Sequence, residues 1–426
     1  MHCVDTEGPM SESIIDTFDR VSQVFGVRVN ANRVNLKDLQ SGRSDLVPSE
    51  ISKEVAEYFS QDNLDFLTSW DEIYSSLDAL DELRKSLLDD LKNQWTFTFF
   101  CVDHVNYTSN PRNKHFGFGE IHKKYLDRIE SKCHSDEIQW HYHPKSISNN
   151  PIGLGTNFDN SLSEIHSILC RRIIDFEFFP TCYRPGFHAE GPDTNFFLEQ
   201  WIPFDYSNQR YSSNAENTEK KAFRIANWNI SPQIWNGYHP SRESIQTEGD
   251  MKRWVFRCLH IGSRHRNIGK IEVEEAFSQA LESGHAVLAV TNHDYRDMAK
   301  DVLYMVNTIN SIKQKYPSVQ VNFTTASEAA RKSLGIDNLT EPIIEIILED
   351  NLISVKLLAG ELFSIQPYLA LLTNNGDYLH DNFSNPIPGE WTYLFSTDFI
   401  ELKQISIIAI AYVGMNGKSY IWKHKV

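Results

Sequence analysis

Short apolar runs alternate with amphipathic helical segments over roughly the first 335 residues of this chain. The predicted strands lie at 2–4, 95–102, 138–143, 181–184, 204–206, 222–228, 254–259, 286–291 and 319–324. Buried strands that are joined by helices form parallel sheets. The pattern therefore predicts an α/β fold and, from its extent, a barrel of parallel strands with helices outside.

Apolar residues recur every three or four positions in the segments between these strands, which predicts helices. The predicted helices lie at 11–25, 70–93, 162–174, 193–200, 273–283, 296–315 and 326–334. The segment 26–70 is polar and irregular, so we interpret residues 26–93 as an insertion into the barrel that ends in a helix. The predicted barrel domain spans residues 1–335.

The pattern changes after Gly335, where short strand-like runs follow each other without helices between them. Gly376-Asp377 and Asn416-Gly417 are typical of hairpin turns. Residues 336–426 are therefore predicted to form a small, antiparallel, β-sandwich-like domain of normal domain size.

The balance of charge limits the kinds of partner that this chain can bind. It has 41 Lys and Arg against 57 Asp and Glu, a formal net charge of −16. Nucleic acid binding needs a basic face, so nucleic acid is not expected as the main partner. No apolar run approaches the roughly 20 residues of a membrane span, and only four residues precede the first motif, so no signal peptide and a cytoplasmic location are expected.

The six cysteines are scattered, and no two of them form a C-x-x-C pair. Several of them lie in apolar strand-like runs. This distribution favours buried, reduced thiols over disulfides or a zinc–thiolate site.

Two carboxylates, Asp5 and Glu7, follow the first predicted strand in the segment Asp5-Thr6-Glu7-Gly8-Pro9. The carboxyl ends of parallel strands are where active sites form. Side chains two residues apart can point to the same side, so one carboxylate can bind a metal ion while the other accepts a proton from water. The alternative is an acidic surface turn.

Two histidines, His141 and His143, end another predicted strand. Strand alternation points both imidazoles to one face, within reach of a single metal ion. The alternative is one packed and one exposed histidine.

A third histidine, His293, follows the predicted strand 286–291, with Asp294 next to it. At a strand end, His293 can act as a general acid toward a leaving amine. Asp294 can cap the helix that follows, and the two roles are compatible.

Arg184 and Asp205 are two further candidates near strand ends. Arg184 can pair with a carboxylate base and keep it ionised, and Asp205 can orient an imidazole. The alternatives are an ordinary surface ion pair for Arg184 and a turn residue for Asp205.

The order of these motifs over residues 1–335 resembles that of the polysaccharide deacetylase superfamily, also called NodB-homology or carbohydrate esterase family 4 proteins. Asp5-Thr6-Glu7-Gly8-Pro9 resembles its acidic first motif, and His141-Tyr142-His143 its metal-binding histidine motif. Arg184-Pro185-Gly186-Phe187 is similar to the third motif, while Asp205 and His293 fall where the fourth and fifth are expected. Within the family, the chain is most similar to the WbmS-like branch of O-antigen gene clusters.

The resemblance implies a deformed (β/α) barrel and a divalent metal ion, with Zn²⁺ as the first candidate. By this resemblance, Asp5 is the base, and the metal ligands are Glu7, His141 and His143. Arg184 holds Asp5 in place, His293 is the general acid, and Asp205 orients His293.

The chain departs from the family at the metal motifs. Glu7 stands where the family has aspartate, and His141 and His143 are two residues apart instead of four. His166 or His188 can then replace His143 as a ligand. An alignment on Gly-Pro also leaves open that Asp5 and Glu7 exchange roles.

These observations lead to the expectation of a metal-dependent deacetylase that removes N-acetyl groups from an amino sugar during synthesis of an O-antigen-type surface polysaccharide. One alternative is a non-catalytic carbohydrate-binding protein on the same scaffold. Another is a metal hydrolase that acts on a non-sugar amide or an ester.

Overall fold

The structure is a computed structural model that describes residues 1–60, 65–103, 105, 117–132, 135–147, 155–212, 228–263 and 266–426. Seven of the described strands close into a parallel barrel in chain order. They are β1 (His2–Thr6), β2 (Phe97–Val102), β3 (Glu137–Tyr142), β4 (Cys182–Pro185), β5 (Phe204–Asn208), β6 (Trp254–His260) and β7 (Ala289–His293). The predicted α/β barrel is thus confirmed.

The strand register brings the polar strand ends to one edge of the barrel. Asp5 on β1 pairs with His293 on β7 and with Phe100 on β2. His141 on β3 pairs with Arg184 on β4. Because all seven strands run in the same direction, their carboxyl ends form one mouth.

The barrel is filled by side chains and covered by helices. Its interior contains apolar residues and thiols such as Cys3, Phe100, Tyr206, Phe256 and Cys258. The described helices are α1 (Ile14–Phe25), α2 (Arg33–Gln40), α3 (Ser49–Tyr58), α4 (Trp70–Arg84), α5 (Glu120–Lys132), α6 (Leu162–Phe176), α7 (Pro192–Trp201), α8 (Lys270–Ser283), α9 (Ala299–Lys313) and α10 (Ala326–Leu334). None of these described helices is long and apolar enough to cross a membrane.

Three local predictions differ from the structure. The segment 26–70, predicted as irregular, contains α2 and α3. The helix predicted at 70–93 ends at Arg84, because the Asp89 carboxylate accepts from the backbone of Leu91 and Asn93 in a turn. The segment 319–324 is not a strand, since the carbonyl of Val321 accepts from the Asp90 backbone instead of a neighbouring strand. A further predicted strand, at 222–228, lies outside the described residues except for Trp228 and stays a prediction.

The antiparallel strands after Gly335 form two sheets, as predicted. The strands are β8 (Ile343–Glu349), β9 (Leu352–Ala359), β10 (Tyr368–Thr373), β11 (Tyr378–Asp381), β12 (Ser384–Ile387), β13 (Glu390–Leu394), β14 (Ile405–Val413) and β15 (Ser419–Lys425). Their orders are β11-β10-β14-β15 and β12-β13-β9-β8. Hairpins occur at both predicted turns, β10–β11 and β14–β15.

The sheet that contains β10 packs directly on helix α6 of the barrel. Apolar residues of both units form one core cluster, which includes Ile173 and Tyr368. His166 on α6 joins this contact, where its Nδ1 atom lies 2.7 Å from the Tyr368 hydroxyl and its ring stacks on His380.

The described cysteines Cys3, Cys101, Cys170, Cys182 and Cys258 are free thiols and buried, as the sequence predicts. Cys133 lies outside the described residues.

Candidate active site

Glu7, His141 and His143 come together at the barrel mouth. The Nε2 atoms of the two histidines are 2.9 Å apart, and Glu7 Oε1 lies 3.5 Å from His143 Nε2 and 4.0 Å from His141 Nε2. The side chains of Glu7 and His141 are almost completely buried, while His143 is 16% exposed. The group is therefore exposed to solvent mainly at His143.

The backbone around His141 sets the protonation of its ring. Its Nδ1 atom lies 2.9 Å from the carbonyl oxygen of Arg184. A carbonyl oxygen can only accept, so Nδ1 carries the hydrogen and Nε2 keeps its lone pair. Burial lowers the pKa of His141 to about 3, so the ring is neutral at neutral pH. A neutral imidazole held by a backbone carbonyl is the usual state of a metal-binding histidine.

The donor set fits a divalent metal ion. One oxygen of Glu7 and one nitrogen each of His141 and His143 all lie within 4.8 Å of one another. Ligands of a tetrahedral zinc ion at 2.0–2.1 Å are about 3.3 Å apart, close to the observed spacings. Two histidines and one carboxylate are the protein ligands of several catalytic zinc sites, and they would leave room for a water or substrate oxygen.

Asp5 does not belong to this group but forms a buried ion pair beneath it. Arg184 donates from Nε to Asp5 Oδ1 (2.6 Å) and from Nη2 to Asp5 Oδ2 (3.0 Å), and from Nη1 to the Tyr206 carbonyl (2.6 Å). Burial alone would raise the pKa of Asp5, but Arg184 and then His141 hold it well below its ordinary value. Asp5 therefore remains an ionised carboxylate next to His141, whose Nδ1 atom is 3.9 Å away.

His293 reaches the same centre from β7. Its Nε2 atom lies 3.7 Å from Glu7 Oε1, and its side chain is 25% exposed. The ring lies nearly parallel to that of Tyr295, with 4.8 Å between centroids. His293 is thus both close to the carboxylate of Glu7 and open to a molecule in the mouth.

Asp205 is not brought to this group. It pairs in register with Tyr183 and Val255 on the outer face of the barrel, whereas its neighbour Tyr206 points inward. Its carboxylate accepts from Arg253 (2.5 Å), which also contacts Glu190. The expected orientation of His293 by Asp205 therefore has no contact to support it, because strand alternation turns Asp205 outward.

The two replacement ligands that the sequence left open are placed elsewhere. His166 lies at the contact between α6 and the C-terminal sheet. His188 is at the mouth, but its ring packs edge-on against His260 and is outside the group of mutually close donors. Among the described residues, His143 and not these histidines completes the donor set.

Asp294 holds the loop that carries Glu7, a role that the sequence did not reveal. Its carboxylate accepts from the backbone of Glu7 (2.8 Å), from the backbone of Gly8 (3.0 and 3.2 Å) and from the Tyr125 hydroxyl (2.9 Å). Its position next to His293 was the only signal in the sequence. Asp294 thus connects the strand end of His293 to Glu7.

The turn after β4 fits tightly against His143. A Cβ atom on Gly186 would lie 2.4 Å from His143 Cγ, so only glycine leaves room for the ring. Phe187, with φ of 55°, packs edge-on against His143 at 4.9 Å between centroids. This turn therefore packs against the His143 ring and limits its position.

Neither the protein-family models nor the curated proteins give a match to this chain.

Proposed function

We propose that this protein is a metal-dependent hydrolase of the polysaccharide deacetylase type, which removes an N-acetyl group from an amino sugar used in surface-polysaccharide synthesis. The observation that carries the proposal is the group of Glu7, His141 and His143, with the lone pair of His141 Nε2 fixed toward the centre. The separate ionised carboxylate of Asp5 and the accessible imidazole of His293 support it.

Glu7, His141 and His143 would hold the ion, for which zinc is the first candidate. When bound, such an ion polarises the acyl oxygen and makes water a better nucleophile at neutral pH. Glu7 follows the end of β1, while His141 lies on β3 and His143 directly after it.

Asp5 and His293 provide the proton transfers. Asp5, kept ionised by Arg184, takes the proton of the attacking water, and His293 gives a proton to the departing nitrogen. Separate positions for base and acid allow one group to accept a proton before the other donates. A base and an acid each contribute roughly 10²–10⁴-fold to such reactions.

The test combines metal analysis with acetate release. The purified full chain, loaded with zinc, is incubated with a panel of N-acetylhexosamines, and acetate is measured with and without a chelator. His141→Ala and His143→Ala should lose zinc and activity together. Asp5→Asn should keep zinc and lose at least about 100-fold in kcat.

His166→Gln is the matched control, since it changes a histidine of the same chain that lies far from the barrel mouth. It should keep both zinc and activity. Full acetate release by metal-free protein would refute the proposal. Sugar binding without zinc would instead favour a non-catalytic carbohydrate-binding protein, and turnover of simple amides or esters alone would favour a hydrolase of non-sugar substrates.

A further inference from the structure

His188 and His260 form a pair beside the centre, and neither has a role in the chemistry above. His188 follows β4, and His260 is the last residue of β6. Their rings meet edge to face, with 4.5 Å between centroids. The ring of His260 is also within 14° of parallel to that of His293, at 6.5 Å. The pair therefore extends the line of imidazoles from His293 across the mouth toward β4.

The Nδ1 atom of His188 is buried and has no hydrogen-bond partner in the part of the chain that the structure describes. The residue itself is 5% exposed. A buried polar atom without a partner is costly, and nearly all such atoms in folded proteins find one. This atom therefore indicates a position where a polar group of a ligand belongs.

The backbone holds the His188 ring in place. Phe187 and His188 have φ values of 55° and 50°, in the left-handed region that residues other than glycine rarely adopt. The buried indole N–H of Trp228 donates to the His188 carbonyl at 2.9 Å. Backbone strain of this kind persists where the surroundings fix it and is concentrated at functional sites.

The surroundings of His188 select the kind of ligand. Burial, followed by His260 and Arg184, lowers the pKa of His188 well below its ordinary value, so the ring is neutral. A neutral imidazole offers one donor and one acceptor. The nearby guanidinium group of Arg184 is paired with Asp5. A hydroxyl group donates and accepts without charge, so it matches a neutral imidazole whichever ring nitrogen carries the hydrogen.

We propose that His188, supported by His260, binds a hydroxyl group of the substrate beside the bond that is cleaved, and so selects a polyhydroxylated, sugar-like molecule. This inference rests on the proposed function, because it assigns the substrate side of the same mouth. It makes His188 a substrate-binding residue, and His260 a positioning residue that keeps the His188 ring in place.

The test compares two substitutions at His188. Asparagine tolerates a positive φ and places an amide near the position of Nδ1, whereas leucine removes hydrogen bonding. Binding and KM are measured for a panel of N-acetylhexosamines and their monodeoxy analogues, each of which lacks one hydroxyl. His260→Phe is a further variant, since it keeps the ring contact on an ordinary strand backbone.

His188→Leu should raise KM for the parent sugar about 10- to 100-fold, with smaller changes in kcat and unchanged zinc content. The analogue that lacks the recognised hydroxyl should bind the wild-type protein more weakly by the same factor. Its affinity for His188→Leu should equal its affinity for the wild type. His188→Asn should recover most of the binding. His260→Phe should weaken binding of the parent sugar less than His188→Leu does.

Three outcomes would overturn the inference: loss of zinc in His188→Leu, equal effects of that variant on parent and deoxy sugars, or no binding of any N-acetylhexosamine to the wild-type protein. Acetate release that is independent of His188 would leave the deacetylase proposal standing. Binding that depends on His188 without acetate release would support this inference and contradict the deacetylase proposal.

Discussion

Replacement of Asp294 by alanine would remove the acceptor that fixes the loop carrying Glu7. The backbone N–H groups of Glu7 and Gly8 and the Tyr125 hydroxyl are among the donors that lose their partner. Hydrogen bonds to a charged group contribute about 1.5–3 kcal/mol each, and the losses are not additive. Since Asp294 and Tyr125 are each 1% exposed, we expect the free energy of unfolding to fall by about 3–5 kcal/mol.

The same substitution should weaken zinc binding. Asp294 accepts from the backbone of Glu7, whose Oε1 lies 3.5 Å from His143 Nε2, so loss of Asp294 removes a contact that positions this ligand. Loss of the partner of a metal ligand typically lowers metal affinity 10- to 100-fold. We expect an effect of that size for Asp294→Ala and a smaller one for Asp294→Asn, which keeps one acceptor oxygen.

Urea unfolding and zinc competition with a chromophoric chelator measure the two effects. Tyr125→Phe and Tyr206→Phe are a matched pair, because each removes one buried hydroxyl. The Tyr125 hydroxyl donates to Asp294, whereas that of Tyr206 donates to the Ala326 carbonyl. Both should cost about 1–2 kcal/mol, but only Tyr125→Phe should weaken zinc binding.

An Asp294→Ala protein that unfolds more easily but binds zinc as tightly as the wild type would refute this reasoning. Equal zinc affinities in the two tyrosine variants, both lowered, would show that zinc binding follows overall stability instead of the position of Glu7.

Three further predictions concern other parts of the molecule. Gly186→Ala should displace the His143 ring and lower zinc affinity at least about 10-fold with the fold intact by circular dichroism. Asp205→Asn should reduce stability by about 3 kcal/mol in urea, because it weakens the buried pair with Arg253, and should leave zinc content and kcat unchanged. Burial lowers the pKa of His166 to about 3 from 6.5, so the unfolded chain binds more protons below pH 6.5. The free energy of unfolding should therefore fall by at most about 1.4 kcal/mol per pH unit as the pH is lowered from 6.5 toward 3. His166→Gln should show a flatter pH dependence in urea unfolding.

The placement of Glu7, His141 and His143 at strand ends was predictable, because it depends on local rules. Asp5 and Glu7 follow one predicted apolar strand, and His141 and His143 end another, with the two-residue spacing that places side chains on one face. Parallel strands bring such ends to the same edge. The general position of Glu7, His141 and His143 therefore followed from the strand pattern alone.

The outward position of Asp205 could not be read from the sequence. It depends on which face of β5 points into the barrel, and a shift of one residue in the strand would reverse this. The partners Arg253 and Glu190 come from other segments. For the same reason the sequence did not separate Asp5, paired with Arg184, from Glu7 in the metal group.

By itself, the sequence determined the alternation of strands and helices, the antiparallel C-terminal sheets and the polar residues at the strand ends, since hydrophobic period and turn residues act over a few positions. Only the tertiary structure decided which groups meet. Asp294 reaches Glu7 across 287 residues, and His188 meets His260 between strands that are not neighbours. Such contacts follow from barrel closure and strand register, which no local pattern encodes.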